Sequence, residues 1–232
     1  MGKKRSKRYE EAAKLVDEKK KYPLAEALAL VKSMPGPKFN ETVTLSLKLG
    51  VIAKQSDQMV RGTCPLPHGS GKDVCVLVFA SGEAATAAKN AGADHVGFEK
   101  MIKEVQGGFM DFDVVVATPD AMAEVRKLGR QLGPRGLMPN PKTGTVTDDT
   151  AEAVKAVKAG RVDFKLDKNG NLAVPVGKVS FDEQQLLENT EAAIDAVNGA
   201  RPVTAKGVFL MSGGVSATMG PGVKVLLSPY QQ

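Results

Sequence analysis

The clearest pattern along this chain is a strict alternation of apolar and polar residues over 41–49. A period of two predicts a β-strand with one face in a core and a polar face left free. Residues 73–80 and 113–117 form continuous apolar runs instead, which are typical of strands buried on both faces. Because helical periods separate these runs, the middle of the chain predicts a three-layer α/β unit with parallel strands. Its helices are predicted at about 83–91, 98–105, 120–128 and 150–158.

The two ends of the chain show a different pattern. Amphipathic helices are predicted from Tyr9 and from Pro23, and a longer helix is predicted over 182–197. The segment 56–72 is rich in glycine and proline and is predicted to be a loop.

Several strands are predicted after the middle of the chain. Two of them, 163–166 and 172–176, flank Asn169-Gly170, a pair that favours a hairpin turn. Two more are predicted over 203–215 and 222–227.

Neither end alone has enough elements to close a core. We therefore predict one discontinuous α+β domain formed by residues 1–67 and 160–232, with an α/β domain of residues 68–159 inserted into it. The fold class is thus a combination of α/β and α+β.

Composition and charge narrow the possible functions. The chain has 232 residues, of which 42% are hydrophobic and 25% are charged, so wholesale disorder, collagen and a disulfide scaffold are excluded. No apolar run approaches the roughly 20 residues that span a bilayer. The formal net charge of +6 favours a polyanionic partner. Only 5% of residues are aromatic, so a nucleic acid would be recognised through shape and backbone contacts rather than base stacking.

The sequence offers little for catalysis or metal binding. Its two cysteines and two histidines, Cys64, Cys75, His68 and His95, have neither the spacing of a zinc site nor a nucleophile partner. Residues 68–72 lack the first glycine and the final hydroxyl of a phosphate loop. We therefore expect no catalytic residue, no metal and no cofactor.

Two segments are candidates for binding. Residues 133–142 contain three prolines and two glycines, which predict a fixed, non-repetitive path that serves either as a rigid surface loop or in binding. Residues 212–222 are polar and rich in glycine, so their hydroxyls could contact phosphates or ribose while a partner backbone approaches closely. Residues 39–42 offer a similar mixture, and we expect both polar segments on one exposed edge or face of a sheet.

Four segments together resemble the L-one family of large-subunit ribosomal proteins, the universal side-stalk proteins, in its bacterial type. They occur in order along essentially the whole chain: SDQMVRGTCPLPHGSGK, GPRGLMPNPKTGTV, NLAVPVGKVSF and TMGPGVKV. The resemblance implies a discontinuous RNA-binding domain from both termini and an inserted Rossmann-like domain.

The resemblance also implies a function. It implies a non-enzymatic protein that binds the 23S-type ribosomal RNA of the mobile side stalk and takes part in the movement and release of exit-site tRNA. It further implies repression of translation by binding to the messenger RNA of its own operon. The expected location is the ribosome in the cytoplasm, without a membrane partner, and the free protein is expected to be a monomer.

The resemblance implies RNA contacts at the following positions of this chain: Phe39, Glu41, Thr42, Ser212, Thr218, Met219 and Gly220. On charge grounds we add Lys38, Lys54, Arg61, Lys165 and Lys168. Ala217 interrupts the hydroxyl-rich run that this family often has, which leaves a contact at that position open. Two other functions remain as alternatives: a nucleotide-dependent enzyme built on the α/β domain, and a protein–protein scaffold.

Overall fold

The computed structural model describes residues 5–53 and 55–230. Lys54, one of the predicted RNA contacts, therefore lies outside the described residues. The chain forms two compact units, Met1–Gly71 with Val162–Gln232 and Lys72–Arg161. We call them the terminal unit and the inserted unit.

The terminal unit is divided along the chain, whereas the inserted unit is continuous. The first part of the terminal unit contains α1 (Lys7–Lys14), α2 (Leu24–Ser33), β1 (Thr42–Leu49) and β2 (Arg61–Pro65). The inserted unit contains β3 (Val76–Phe79), α3 (Gly82–Asn90), β4 (His95–Gly97), α4 (Glu99–Gln106), β5 (Val114–Ala117), α5 (Met122–Val125), α6 (Gly129–Arg135) and α7 (Thr150–Lys158). The chain then returns through β6 (Arg161–Lys165), β7 (Asn171–Lys178), α8 (Glu183–Gly199), β8 (Leu210–Ala217) and β9 (Val223–Val225).

The terminal unit is built on a four-stranded antiparallel sheet in the order β7-β1-β8-β9. The alternation predicted for 41–49 is confirmed, because the apolar residues of β1 are buried and its polar residues are half-buried or exposed. The apolar face packs against α2 and α8, which contribute Leu28, Leu186 and Ile194 to the core. One face of this sheet is thus covered by helices, and the hydroxyl-bearing face points away from them.

The hairpin predicted around Asn169-Gly170 is wrong. The turn itself forms, since Asp167 and Asn171 are joined by a backbone hydrogen bond of 2.8 Å. The two flanking strands nevertheless enter different sheets, because β6 pairs with β2 and β7 pairs with β1. The turn is a local property of the sequence, whereas the partner of each strand is set by distant apolar residues.

The loop predicted over 56–72 is also only partly correct. Its middle forms β2, whose partner β6 lies about a hundred residues further along the chain. Cys64 and Leu66 are buried in the terminal core, so this segment contributes to packing despite its prolines. The predicted strand over 203–215 begins only at Leu210, because Arg201 donates a hydrogen bond to the carbonyl of Gly207 at 3.0 Å and closes a loop.

Residues 68–71 belong to the terminal unit, although the sequence placed them in the insertion. The buried Asn189 side chain of α8 accepts from the His68 N–H at 3.0 Å and donates to the Gly69 carbonyl at 3.0 Å. At the other boundary, Gly160 and Arg161 belong to the inserted unit rather than to the terminal one.

The inserted unit is the expected three-layer α/β structure. Its parallel sheet has the order β4-β3-β5. Helices α3 and α7 pack on one face through Ala88 and Val154, and α4, α5 and α6 pack on the other through Val105 and Leu132. Among the described residues, no helix combines the length and apolar character that a membrane crossing needs.

The proline-rich segment 133–142 does not follow a wholly irregular path. Its first three residues complete α6, which continues through Pro134 and ends at Arg135. Gly136 follows with a φ of 75°, a left-handed conformation that favours glycine and ends the helix. Helical backbone persists here because Leu128 and Leu132 are fully buried and fix the helix against the sheet.

Candidate nucleic-acid interface

The net charge of the chain is confined to one of its units. The inserted unit, residues 72–161, contains twelve basic and twelve acidic side chains, so the formal charge of +6 belongs entirely to the terminal unit. A polyanion is therefore attracted to the terminal unit as a whole, and only to local patches of the inserted unit.

The two distant ends of the chain meet at Thr42 and Thr218. The Thr218 hydroxyl accepts a hydrogen bond from the backbone N–H of Thr42 at 3.1 Å and donates one to the Thr42 carbonyl at 3.2 Å. Lys178, the cross-strand partner of Thr42 on β7, donates from Nζ to the Thr42 hydroxyl at 2.9 Å. We call this arrangement of Thr42, Thr218 and Lys178 the threonine clamp.

Glu41 holds the turn that follows β8. Its Oε1 accepts a hydrogen bond of 2.7 Å from the backbone N–H of Met219, and its own carbonyl accepts from the N–H of Val179 at 2.9 Å. The residue is only 6% exposed. Its position therefore suits it to orient Met219 and Gly220. Direct contact between Glu41 and a phosphate is disfavoured, because the carboxylate would repel it.

Large apolar side chains are exposed beside the clamp. Phe39 is 55% exposed and Met219 is 51% exposed, and each lies within three residues of Thr42 or Thr218 along the chain. Lys38 is exposed next to Phe39. Exposed apolar groups rimmed by polar residues mark interaction surfaces.

A polar face extends from the clamp across the sheet. Thr44, Ser46 and Lys48 of β1 lie directly opposite Ser216, Gly214 and Ser212 of β8 in the antiparallel register. On the flanking strands Ala173 is opposite Ser46, and Lys224 is opposite Gly214. Ser46, Ser212, Ala173 and Lys224 are all exposed. We call this surface, residues 42–48 and 212–218 on their hydroxyl side, the polar sheet face.

Ser212 is not part of the clamp. It lies near the start of β8, whereas Thr218 comes directly after the end of that strand. Six residues separate the two, which corresponds to about 20 Å at the usual rise of a strand. Residues 212–217 of the polar segment are thus part of a strand, and its hydroxyls form a line rather than a cluster.

The predicted basic contacts lie at several places on the terminal unit. Lys168 is exposed in the turn before β7, and Lys48 donates from Nζ to the carbonyl of Asn169 in that turn. Arg61 on β2 is half-buried and Lys165 on β6 is exposed, so both belong to the two-stranded sheet.

Asp167 shapes the turn that presents Lys168. Its Oδ1 accepts hydrogen bonds from the backbone N–H groups of Asn171 at 2.7 Å and Asn169 at 2.8 Å. The bond from Asn171 is the main reason that the pKa of this carboxyl lies below its ordinary value. The carboxylate therefore stays ionised and keeps the turn closed.

Several residues of the polar sheet face were not singled out from the sequence. Ser46, Lys48 and Ser216 line it, and Lys178 completes the clamp. The alternation over 41–49 already indicated that Ser46 and Lys48 point away from the core, so their place on this face was predictable. The positions of Ser216 and Lys178 were not, because they depend on strand pairing.

The inserted unit has a crevice at the carboxyl ends of β3 and β5, where nucleotides bind in sheets of this kind. Four acidic residues line it: Glu83, Asp120, Asp148 and Asp149. Such a lining would repel phosphates. Within the described ranges, no group of three or more histidine, cysteine, aspartate or glutamate side chains is arranged to hold a metal ion.

The two cysteines do not form a disulfide. Cys64 is buried in the terminal core, and burial raises the pKa of its thiol. The pKa of Cys75 is also raised, mainly by burial. Thiols with raised pKa values are poor nucleophiles, so neither cysteine has the character of a catalytic group.

Comparison with known proteins covers both units. A profile of the ribosomal protein L1p/L10e family matches residues 30–221. The large ribosomal subunit protein uL1 of Kosmotoga olearia is 56% identical over 222 residues, which cover 96% of this chain and 96% of that relative. The protein of the same name from Bifidobacterium longum subsp. infantis is 55% identical over 222 residues, again with 96% of each chain covered.

Proposed function

Because this chain belongs to the ribosomal protein L1p/L10e family, we propose that it binds ribosomal RNA as a structural protein of the large ribosomal subunit. It is not an enzyme. The matched relatives are named as proteins of the large ribosomal subunit, and the terminal unit has the charge and the surface that this function needs.

The polar sheet face is the observation on which the proposal rests. A sheet whose second face is covered by helices does not need small hydroxyl residues on its first face for stability. Ser46, Ser212 and Gly214 leave this face flat, so a folded RNA can approach the strands closely. Hydroxyl groups can donate to phosphate oxygens and accept from ribose 2′-hydroxyl groups, which distinguish RNA from DNA.

The threonine clamp fixes one end of this face. Thr42 and Thr218 are held through backbone hydrogen bonds, and the exposed side chains of Phe39 and Met219 lie beside them. In this proposal the residues that contact the RNA directly are Phe39, Thr42, Thr218, Met219 and Gly220. Glu41 acts through the turn that it positions, which refines the contact implied by family resemblance.

Affinity comes mainly from the basic side chains of the terminal unit. Each lysine or arginine that neutralises a phosphate releases counterions, which makes binding dependent on salt. Lys38, Lys165 and Lys168 are exposed and suited to this role. Arg61 is half-buried on the two-stranded sheet and would contribute with its exposed part.

The finer partners belong to the same proposal. We propose that the RNA is the 23S-type ribosomal RNA of the side stalk, and that the bound protein takes part in the movement and release of exit-site tRNA. We also propose that the same surface binds the messenger RNA of its own operon and represses its translation. One polar sheet face would serve both RNAs if they share a folded shape.

The proposal is tested by placing a negative charge on the polar sheet face. Ser46→Glu puts a carboxylate between Ala173 and Gly214, two small neighbours that leave room for it. Ala25→Glu is the matched control, since Ala25 is exposed on α2, which packs on the opposite face of the sheet. Both variants have the same net charge.

The measurement is the affinity of the full chain for a side-stalk fragment of 23S-type ribosomal RNA. Ser46→Glu is expected to weaken binding by about tenfold or more. The introduced carboxylate would be buried against RNA phosphates, and this like-charge contact costs at least the free energy that a tenfold loss of affinity represents. Ala25→Glu is expected to change affinity by only about twofold, through long-range repulsion. Equal effects of the two variants would contradict the proposed surface.

A further inference from the structure

The inserted unit has an outward helical face with two arginines. The stretch Met122–Arg135 buries Val125, Leu128 and Leu132 against the sheet. Arg126 and Arg130 are exposed and lie four residues apart, so they share one face and are separated by about 6 Å along the helix axis.

The acidic side chains of the described chain leave these two guanidinium groups unpaired. Among residues 5–53 and 55–230, no carboxylate lies within 4.0 Å of Arg126 or Arg130. By contrast, Lys72, Lys127 and Lys158 of the same unit each form an ion pair. Two like charges one helical turn apart repel each other, which destabilises the free helix and is relieved by an anion.

Two glycines lie on the same face, and one of them lacks an explanation within the fold. Gly129 and Gly133 alternate with the arginines, and Gly129 has an ordinary helical φ of −55°. Apart from the chain neighbours and the backbone of the same helix, a Cβ added at either position would meet no atom within 4 Å. Gly133 directly precedes Pro134, whose ring disfavours helical backbone for a residue with a Cβ, so glycine has a local reason there. At Gly129 neither backbone conformation nor packing requires glycine, which weakens a helix interior more than any residue except proline.

We propose that this face, formed by Arg126, Gly129, Arg130 and Gly133, is a second RNA-binding surface that contacts the phosphodiester backbone. The planar guanidinium fork binds phosphate oxygens in a bidentate manner. The bare helix backbone between the arginines allows a strand of phosphates to approach closely.

The chemistry favours RNA backbone over an acidic protein. Consecutive phosphates of one strand have a spacing similar to that of the two arginines, whereas acidic side chains on a protein surface have no fixed period. The inserted unit has no net charge, so binding here depends on this local pair and not on bulk attraction. The inference is independent of the polar sheet face, since it concerns a different unit of the chain.

The test uses the isotope-labelled full chain titrated with a short mixed-sequence RNA duplex, and NMR as a site-resolved measurement. The amide signals of Gly129 and Gly133 are expected to shift during the titration. The double variant Arg126→Gln with Arg130→Gln removes two charges and is expected to abolish these shifts. It is also expected to reduce the slope of log affinity against log salt by about 1.5.

The matched control is Lys89→Gln with Lys155→Gln. Both lysines are exposed on α3 and α7, which form the other helical layer of the same unit, and the change in net charge is identical. The control is expected to leave the glycine shifts intact. The proposal is overturned if the control abolishes them, if the arginine variant does not, or if polyglutamate of equal charge produces the same shifts as RNA.

A further substitution separates binding from folding. Gly129→Ala should raise the melting temperature of the chain by a few degrees, because alanine is the better helix former and has open space here. The same variant should weaken the RNA-induced shifts of neighbouring amides by at least several-fold, because a methyl group obstructs the backbone. A more stable variant with unchanged RNA response would show that Gly129 has no part in binding.

Discussion

The hydroxyl of Thr218 forms hydrogen bonds with both the backbone N–H and the backbone carbonyl of Thr42, at 3.1 Å and 3.2 Å. A single side chain thus fixes the start of β1 to the turn after β8, across 176 positions of sequence. Because Thr218 is exposed, its hydroxyl retains a lone pair with which it can accept a further hydrogen bond from a bound RNA.

Thr218→Val keeps the shape of the side chain and removes this hydroxyl. We expect the affinity for a side-stalk RNA fragment to fall by about 1–3 kcal/mol, since polar groups of Thr42 and of the RNA lose their partner. Faster hydrogen exchange at the Thr42 amide would show that the clamp has opened. Thr218→Ser should restore both affinity and protection, and a valine variant with wild-type affinity would remove Thr218 from the site.

Asn189→Ala should destabilise the terminal unit. The buried amide donates to the carbonyls of Val176 at 2.8 Å and Gly69 at 3.0 Å, and its oxygen accepts from the N–H of His68. Leaving these backbone groups without partners should lower the free energy of unfolding by about 2–4 kcal/mol. Urea unfolding followed by circular dichroism measures this.

Asn198→Ala serves as the control for that variant. Asn198 is half-buried and donates one hydrogen bond, to the carbonyl of Tyr230 at 3.1 Å. Its loss should cost about 1 kcal/mol. If the two variants were equally stable, the three bonds of Asn189 would not be what anchors residues 68–71.

Two carboxylates at the start of β3 should make the inserted unit sensitive to acid. The N–H of Val76 donates to Asp94 at 2.9 Å and lowers the pKa of that carboxyl. The Lys72 ammonium, which bonds to Asp113, lowers the pKa of the second one. A carboxyl with a lowered pKa in the folded state stabilises the fold above its unfolded pKa of about 4.

This stabilisation should therefore be complete above about pH 4 and be lost as the pH falls from there through the lowered folded pKa values. Thermal unfolding measured between about pH 6 and pH 2 should show the decline. Asp94→Asn with Asp113→Asn should flatten the pH dependence in that window. If the variant declined as steeply as the unmodified chain, other carboxylates would be responsible.

Lys165→Gln with Lys168→Gln should weaken RNA binding in a salt-dependent manner. Because two phosphates would no longer be neutralised, the slope of log affinity against log salt should fall by about 1.5. Titrations with a side-stalk RNA fragment at several salt concentrations measure the slope. The control variant is Lys19→Gln with Lys21→Gln, which changes two exposed lysines between α1 and α2. It tests whether the removal of any two positive charges has the same effect on the slope.

The sequence by itself determined the local character of most elements. The alternation of β1, the continuous apolar run of β3 and the long helix α8 each follow from a period that neighbouring residues define. The division into a central α/β unit and two flanking segments follows from the same change of period. The polar side of β1, and with it the place of Ser46 and Lys48 outside the core, could also be predicted.

Only the tertiary structure decided which distant segments meet. The Asn169-Gly170 turn was recognised, but the strands on either side pair with β2 and β1 and not with each other. The contact between Glu41 and the Met219 amide links residues 178 positions apart, and nothing local to either residue specifies it. Strand partners and site geometry depend on which apolar faces bury each other, because that burial sums over the whole core and outweighs the preference of any single turn.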